Sequence, residues 1–271
     1  MPAVEQRGSN AMRGGDRETY ATRALRAGAR VVRRRGTLSM RTVIAALGRA
    51  ASALLAQDCV VCRAPSGDAP VCDGCRADLP QIGVACPCCA LPSPGGQRCG
   101  ACLAEPPDFD ATIAAWRYAA HAAALVHAYK YGGRLALAPF FAATLAEHVG
   151  ALPPVDAIVP MPLARARLAE RGFNQSLEIA RPLAALLRVP LAPRAVRRTR
   201  ETADQTGLDA QARRRNVRGA FRVDADVRGA RVAVLDDVMT TGATLDELAR
   251  TLKRAGAASV TNWAVARTVR A

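Results

Sequence analysis

The stretch Arg231-Val-Ala-Val-Leu-Asp236-Asp237-Val238-Met239-Thr240-Thr241-Gly242-Ala243-Thr244-Leu-Asp246-Glu247-Leu248 decides the fold. Four apolar residues, Val232 to Leu235, suit a buried parallel strand. Two carboxylates, Asp236 and Asp237, stand at its C-terminal end. A Thr/Gly loop follows, and a helix is expected from Ala243 to Ala255. The C-terminal edge of a parallel sheet is where α/β proteins hold ligands. Backbone N–H groups at the next helix N-terminus favour a phosphate. Gly242 lets the chain approach closely, and Thr240, Thr241 and Thr244 offer hydroxyls. The adjacent acids would repel that phosphate unless they faced other groups. Vicinal ribose hydroxyls, and Mg²⁺ through water, are natural partners for them. Phosphate at one end and a diol at the other describe a ribose 5-phosphate.

Around this motif short apolar strands alternate with helical periods. Strands are expected at Ile113–Tyr118, Val155–Pro160, Leu191–Val196, Arg231–Leu235 and Ser259–Ala266, and helices at 121–131, 135–149 and 174–187. The alternation predicts an α/β fold with an open, mostly parallel, Rossmann-like sheet. Pro182 is expected to kink its helix. Pro160-Met161-Pro162 makes a rigid turn off the sheet, and Arg165, Arg167, Arg171 and Gly172 follow. Guanidinium groups there would meet a diphosphate bidentately. Lys130, ahead of Gly132-Gly133, could reach the same group or sit on the surface. The segment Arg194–Arg222 is polar and basic, carrying Arg200, Gln205, Arg215 and Asn216. It reads either as a loop closing over the diphosphate or as a solvated surface loop.

All nine cysteines lie between Cys59 and Cys102. Eight form four C-x-x-C knuckles: Cys59/Cys62, Cys72/Cys75, Cys86/Cys89 and Cys99/Cys102. Cys88 is a spare thiol. Two knuckles complete one tetrahedron of thiolates, so two structural Zn²⁺ are expected. Disulfides would need an oxidising compartment, and four equally spaced knuckles do not exclude iron–sulfur ligation. Which knuckles share an ion stays open on spacing alone. Asp73-Gly74 and Pro87 suit the tight turns.

The 271 residues carry 38 basic and 23 acidic side chains, a net +15. Such a charge suits polyanionic partners. No two glycines stand two apart, Gly-Lys never occurs, and neither H-E-x-x-H nor G-x-S-x-G is present. These absences exclude the dinucleotide fingerprint, the Walker A loop, the zincin site and the esterase elbow. No 18-residue apolar run exists, so no membrane span is expected. Residues 1–39 read as a disordered basic tail: a nucleic-acid arm, or a start annotated too early, with Met40 the true one. Arg33-Arg34-Arg35 ahead of an apolar stretch mimics a twin-arginine signal, but Arg49 interrupts that stretch. A thiolate metal domain suits a reducing compartment, so a cytoplasmic location is expected. The expected division is the tail, a short helix at 40–57, a double ribbon at 58–104, a linker at Glu105-Pro106-Pro107 and an α/β domain at 109–271.

Residues 232–244 resemble the phosphoribosyl diphosphate (PRPP) signature of type I phosphoribosyltransferases. The resemblance implies that Asp236 and Asp237 hold the ribose 2′- and 3′-hydroxyls and that 240–244 hold the 5′-phosphate. The order of motifs is more specific still. It runs from four cysteine knuckles through Tyr129-Lys130-Tyr131-Gly132-Gly133, Pro160-Met161-Pro162 and Glu170-Arg171-Gly172-Phe173-Asn174-Gln175. It ends with Thr202…Gln205…Arg215-Asn216…Gly219-Ala220-Phe221 and Asp236-Asp237 with its loop. This order resembles the ComF family of competence-associated, phosphoribosyltransferase-like proteins over about residues 55–267. The resemblance implies a type I phosphoribosyltransferase fold and a Mg²⁺-dependent transfer of phosphoribosyl to an acceptor the sequence does not identify, linked to DNA uptake or nucleotide metabolism. It implies PRPP as ligand, and single-stranded DNA or a DNA-uptake helicase-type protein as partner. The other reading is a PRPP- or nucleic-acid-binding protein without turnover, serving single-stranded DNA transformation.

Overall fold

The computed structural model describes residues 57–150, 154–200 and 215–269. The basic tail, and the helix expected at 40–57 apart from Gln57, lie outside these residues. Gln57 instead pairs as a strand: β1 (Gln57–Asp58) runs antiparallel to β2 (Pro65–Gly67). Helix α1 (Asp73–Ala77) follows, then α2 (Gly100–Ala104). Asp73 and Gly74, expected in a tight turn, are the first residues of α1.

The cysteines pair in sequence order. Cys59, Cys62, Cys72 and Cys75 bring their sulfurs within 4.8 Å of one another, and Cys86, Cys89, Cys99 and Cys102 do the same. Sulfurs 2.3 Å from one Zn²⁺ in a tetrahedron lie about 3.8 Å apart. Cys62 and Cys72 are 3.7 Å apart, and Cys89 and Cys99 are 3.6 Å. Both sets fit a single ion, and no cysteine is in a disulfide. Both ribbons are built alike. Arg63 and Ala90, each just past a first knuckle, take left-handed φ of 67° and 56° and return their N–H to the Cys59 and Cys86 carbonyls. Cys72 and Cys99 each sit at the N-cap of a short helix. Burial opposes ionisation of Cys59 and Cys86, yet backbone N–H groups of the knuckles outweigh it and bring both down to about 6. Burial and the neighbouring thiols push Cys75 and Cys89 up, to about 12 and about 11, so a thiophilic ion would have to displace those protons to complete either set. Cys88 is buried outside both sets.

The rest of the chain alternates. β3 (Ala111–Arg117) leads to α3 (Ala120–Tyr131) and α4 (Leu137–Val149), then to β4 (Ala157–Pro160). After β4 come α5 (Arg165–Arg171) and α6 (Gln175–Leu187), the latter capped by Asn174, whose Oδ1 accepts from Leu177 N. β5 (Val196–Arg198) and β6 (Phe221–Val223) form an antiparallel pair. β7 (Arg231–Met239), α7 (Ala243–Arg254) and β8 (Ser259–Arg267) complete the chain. The main sheet has the order β3-β8-β7-β4, and every pairing in it is parallel. The strand expected at Leu191–Val196 does not form. Leu191 makes a one-residue parallel bridge to Ile158, and Pro193 cannot donate to a ladder.

The sheet buries both faces. Alternate residues of β7 separate: Val232 and Val234 join one core, Ala233 and Leu235 the other. On the first face α7 contributes Leu245, Leu248, Ala249 and Leu252, one stripe at helical spacing. Cys86, Cys88, Cys89 and Cys102 of the second ribbon pack there too. On the second face lie Leu125, Phe141, Leu145, Ile179 and Leu183 from α3, α4 and α6, with Cys59 and Cys75 of the first ribbon. Each ribbon is thus built onto its own face of the sheet. Metal analysis of the purified chain is expected to give two zinc per chain, and a strong chelator is expected to unfold the ribbons with release of both ions. Less than one zinc per chain would overturn the assignment.

Candidate functional site

β7 runs on through Asp236 and Asp237 to Met239, four residues past the expected end. The carboxylates therefore hang from a hydrogen-bonded strand, with Asp236 opposite Ala264 and Val238 opposite Ala266 of β8. The chain then turns through Thr240 and Thr241 to Gly242, which caps α7 at φ 85°. That left-handed backbone conformation calls for glycine, and a Cβ there would also displace the Met239 methyl, 2.7 Å away. Thr241 Oγ1 accepts from Ala243 N at 3.4 Å. The first-turn amides of α7 lie beyond the helix's own ladder and face the loop.

Two neighbouring acids cannot both stay charged cheaply in a partly desolvated place. The structure divides their roles. Asp237 is buried, and its Oδ1 is 3.0 Å from Lys130 Nζ. Burial works against the Lys130 charge, but the Asp237 carboxylate outweighs it and raises the lysine above its usual value. Asp236 Oδ1 accepts from Ser176 Oγ at 3.1 Å and from the Asp237 amide at 2.9 Å. Burial first, and the charge of Asp237 second, push Asp236 up to about 7. Lys130 is thus part of the site rather than a surface residue.

Facing the acids is the turn after β4. Met161 N donates to the Leu235 carbonyl at 2.8 Å, and the Met161 carbonyl accepts from Asn174 Nδ2 at 3.1 Å. Pro160 is buried at the end of β4 and Pro162 continues the turn. The stretch beyond Pro162, expected as a loop, is helical as α5, with Gly172 in the left-handed conformation closing it. Arg165 is exposed, and the Arg171 guanidinium stacks 5.2 Å from the Tyr131 ring centre with Nη2 3.3 Å from its hydroxyl. Arg198, on β5, lies where the fields of Arg167, Asp236 and Arg200 all act on it; burial, chiefly, and its arginine neighbours lower its pKa. Arg200 Nη2 donates to the Asn216 carbonyl at 2.7 Å and so joins the two ends of the 201–214 segment. Arg215 is exposed, and Gln205 lies outside the described residues.

The expected residues 236–244, 160–162 and Lys130 come together, and Arg200 and Asn216 border them. Arg165 and Arg215 are exposed and make no hydrogen bond or ion pair with the described members of the group. Two members escaped sequence reading. Ser176 follows the Asn174-Gln175 pair and looks like an ordinary first-turn serine. Arg198 is one arginine in a run of many, and only the β5–β6 pairing singles it out.

Two family descriptions match the chain: a phosphoribosyl transferase domain at residues 174–268 and a double zinc ribbon domain at 50–103. DNA utilization protein YhgH of Escherichia coli (strain K12) is 36% identical over 220 residues, covering 78% of this chain and 97% of its own length. Competence protein F of Haemophilus influenzae is 30% identical over 206 residues, covering 73% of this chain and 90% of its own length. A solved glutamine PRPP amidotransferase from B. subtilis aligns at 19% identity over 51% of this chain and 30% of that one, with a TM-score of 0.36. Among the described residues no helix is long and apolar enough to cross a membrane.

Asp236 ionises at about 7 in the folded protein against an ordinary 3.8. Between these values the folded state keeps a proton that the unfolded chain has lost. Stability therefore falls as pH rises through this window, and the deficit is complete above it. Asn at 236 keeps an oxygen for Ser176 and the Asp237 amide while removing the charge. Asp236→Asn is expected to be more stable than the wild type at pH 8 by about 1–2 kcal/mol and nearly equal at pH 4. Urea unfolding at the two pH values checks this, and an equal gain at both would refute the cause given.

Proposed function

This chain belongs to the ComF family of double-zinc-ribbon proteins with a phosphoribosyl transferase domain, and from that premise we propose that it binds PRPP with Mg²⁺ and transfers the phosphoribosyl group to an acceptor in the handling of DNA. The observation that carries this reading is the pair Asp236–Asp237, held by Ser176 and Lys130 beside a Gly242-capped helix. The α7 amides and the Thr240, Thr241 and Thr244 hydroxyls would take the 5-phosphate. The two carboxylates would accept from the ribose diol. Lys130 Nζ, 3.0 Å away, orients the Asp237 carboxyl, and the Ser176 hydroxyl and the Asp237 amide orient that of Asp236. Arg198 feels the repulsion of Arg167 and Arg200 as well as the pull of Asp236. A diphosphate placed among them would relieve that repulsion and gain bidentate contacts.

Displacement at ribose C1 breaks the C1–O bond to diphosphate and forms a bond to the acceptor. Positive charge grows on the sugar as the bond breaks. The carboxylates hold the ribose in place, and the guanidinium groups stabilise the leaving anion. The oxygen donors of Asp236 and Asp237 suit a hard cation. Mg²⁺, when bound with PRPP, would neutralise diphosphate charge. No protein nucleophile is required. The basic charge and the DNA-related names of the relatives support single-stranded DNA as a partner. Such binding would weaken steeply with salt.

Hydrogen bonds to charged groups contribute about 1.5–3 kcal/mol each, so losing two of them corresponds to roughly 10²–10⁴-fold in affinity. Asp236→Asn combined with Asp237→Asn is therefore expected to lose PRPP binding by at least about 100-fold, with zinc content and cooperative melting retained. Calorimetry with PRPP and Mg²⁺ measures this, and undiminished heat would overturn the site. PRPP consumed with diphosphate release in the presence of a base or amine supports turnover. Binding without consumption across a panel of acceptors favours a binding protein.

A further inference from the structure

Arg267 closes β8 and is 3% exposed. Its guanidinium joins the second ribbon to the loop after β7 by hydrogen bonds. Nε donates to the Cys89 carbonyl at 2.8 Å, inside the second cysteine cluster. Nη1 is shared among the carbonyls of Met239 at 3.1 Å, of Thr240, and of Thr268 at 2.8 Å. Met239 and Thr240 begin the loop that runs to Gly242. The charge of a buried guanidinium is expensive unless something offsets it. Four thiolates around one Zn²⁺ would carry a net charge of −2, so with the ion bound the second ribbon would supply the counter-charge.

Other contacts join the same two regions. Cys88 Sγ lies 4.0 Å from the Phe109 carbonyl. The Phe109 ring stands 3.9 Å from where a Gly242 side chain would begin. Thr112 N donates to the Pro87 carbonyl at 3.1 Å, fixing the knuckle against β3. Among the described residues no hydrogen bond joins the first ribbon to the 240–244 loop. That ribbon packs on the opposite core face and meets the sheet through Arg117 N and the Pro80 carbonyl.

We propose that Arg267 is a positioning residue that makes the geometry of the Thr240–Thr244 loop depend on the second zinc ribbon and not on the first. Loss of the ion at Cys86, Cys89, Cys99 and Cys102 would free the Cys89 carbonyl, unbalance the arginine and loosen the loop. Lysine cannot replace it, because one ammonium cannot reach carbonyls on both sides as a planar fork does. The link to ligand binding rests on the function proposed above; the link to loop order does not.

The test is hydrogen–deuterium exchange of amides 240–244 in the full-length zinc-loaded chain, in Arg267→Lys, in Cys99→Ser and in Cys62→Ser. Each cysteine variant is checked for one retained zinc, and Arg267→Lys for two. Exchange at 240–244 is expected to quicken about tenfold in Arg267→Lys and Cys99→Ser, within the usual 5–150-fold range of coupling between sites, and to stay at the wild-type rate in Cys62→Ser. Wild-type exchange at 240–244 in folded Arg267→Lys also overturns the proposal, and if that variant does not fold Arg267→Gln takes its place. Equal exchange in Cys99→Ser and Cys62→Ser, fast or slow, overturns the proposal. PRPP titration of the same proteins is read separately. A tenfold weaker affinity in Cys99→Ser alone extends the coupling to the ligand. If no protein binds PRPP while the exchange pattern holds, the functional reading falls and the positioning role of Arg267 stands.

Discussion

The site depends on the placing of two adjacent carboxyl groups at the end of a central strand. Desolvation and mutual repulsion act against both. The fold meets this with unequal partners: an ammonium for Asp237, a hydroxyl and an amide for Asp236. These come from α3, α6 and β7 itself, so three elements have to pack correctly before the pair can exist. Lys130 is one of only two lysines in the chain. Its place is held by Tyr129 beside it, whose hydroxyl donates to the Gln175 carbonyl at 2.9 Å and whose ring packs against Phe141 and Phe173. The aromatic core of the second face thus sets where the ammonium stands.

The α/β alternation and the loop at 240–244 were legible in the sequence because they rest on local chemistry: apolar runs, glycine at a turn, threonines before a helix. The extent of β7 was not. Acids are poor strand formers, so propensity ends the strand at Leu235, whereas pairing with β8 carries it on to Met239. Leu191–Val196 shows the reverse error, an apolar run that Pro193 keeps from becoming a ladder. Zinc ligands were visible from spacing, but their pairing required coordinates. Ser176 and Arg198 could not be found by pattern, since their roles come from contacts with residues distant in sequence.

The two ribbons resemble each other in local construction and differ in what they support. Their left-handed residues, Arg63 and Ala90, occupy equivalent places, and both second knuckles cap short helices. Yet one joins the core beneath α3 and α4, and the other joins the core beneath α7. Charged residues fasten the linker beside the second ribbon. Arg250 binds Asp108, Asp246 and Glu247 together, and Lys253 reaches Asp110 at 2.6 Å. The start of β3 is therefore clamped to α7.

The sequential pairing of the knuckles also bears on the order of assembly. Cys59 meets Cys75, and Cys86 meets Cys102, across short segments, so each ribbon closes a small loop at low entropic cost. The sheet is the opposite case. Ala111 of β3 lies beside Thr261 of β8, so the first main strand has no neighbour until nearly the whole chain exists. On a ribosome the metal-bound modules can be complete while β3 still waits for its partner, and the long-range closure of the sheet is left as the slow, final step.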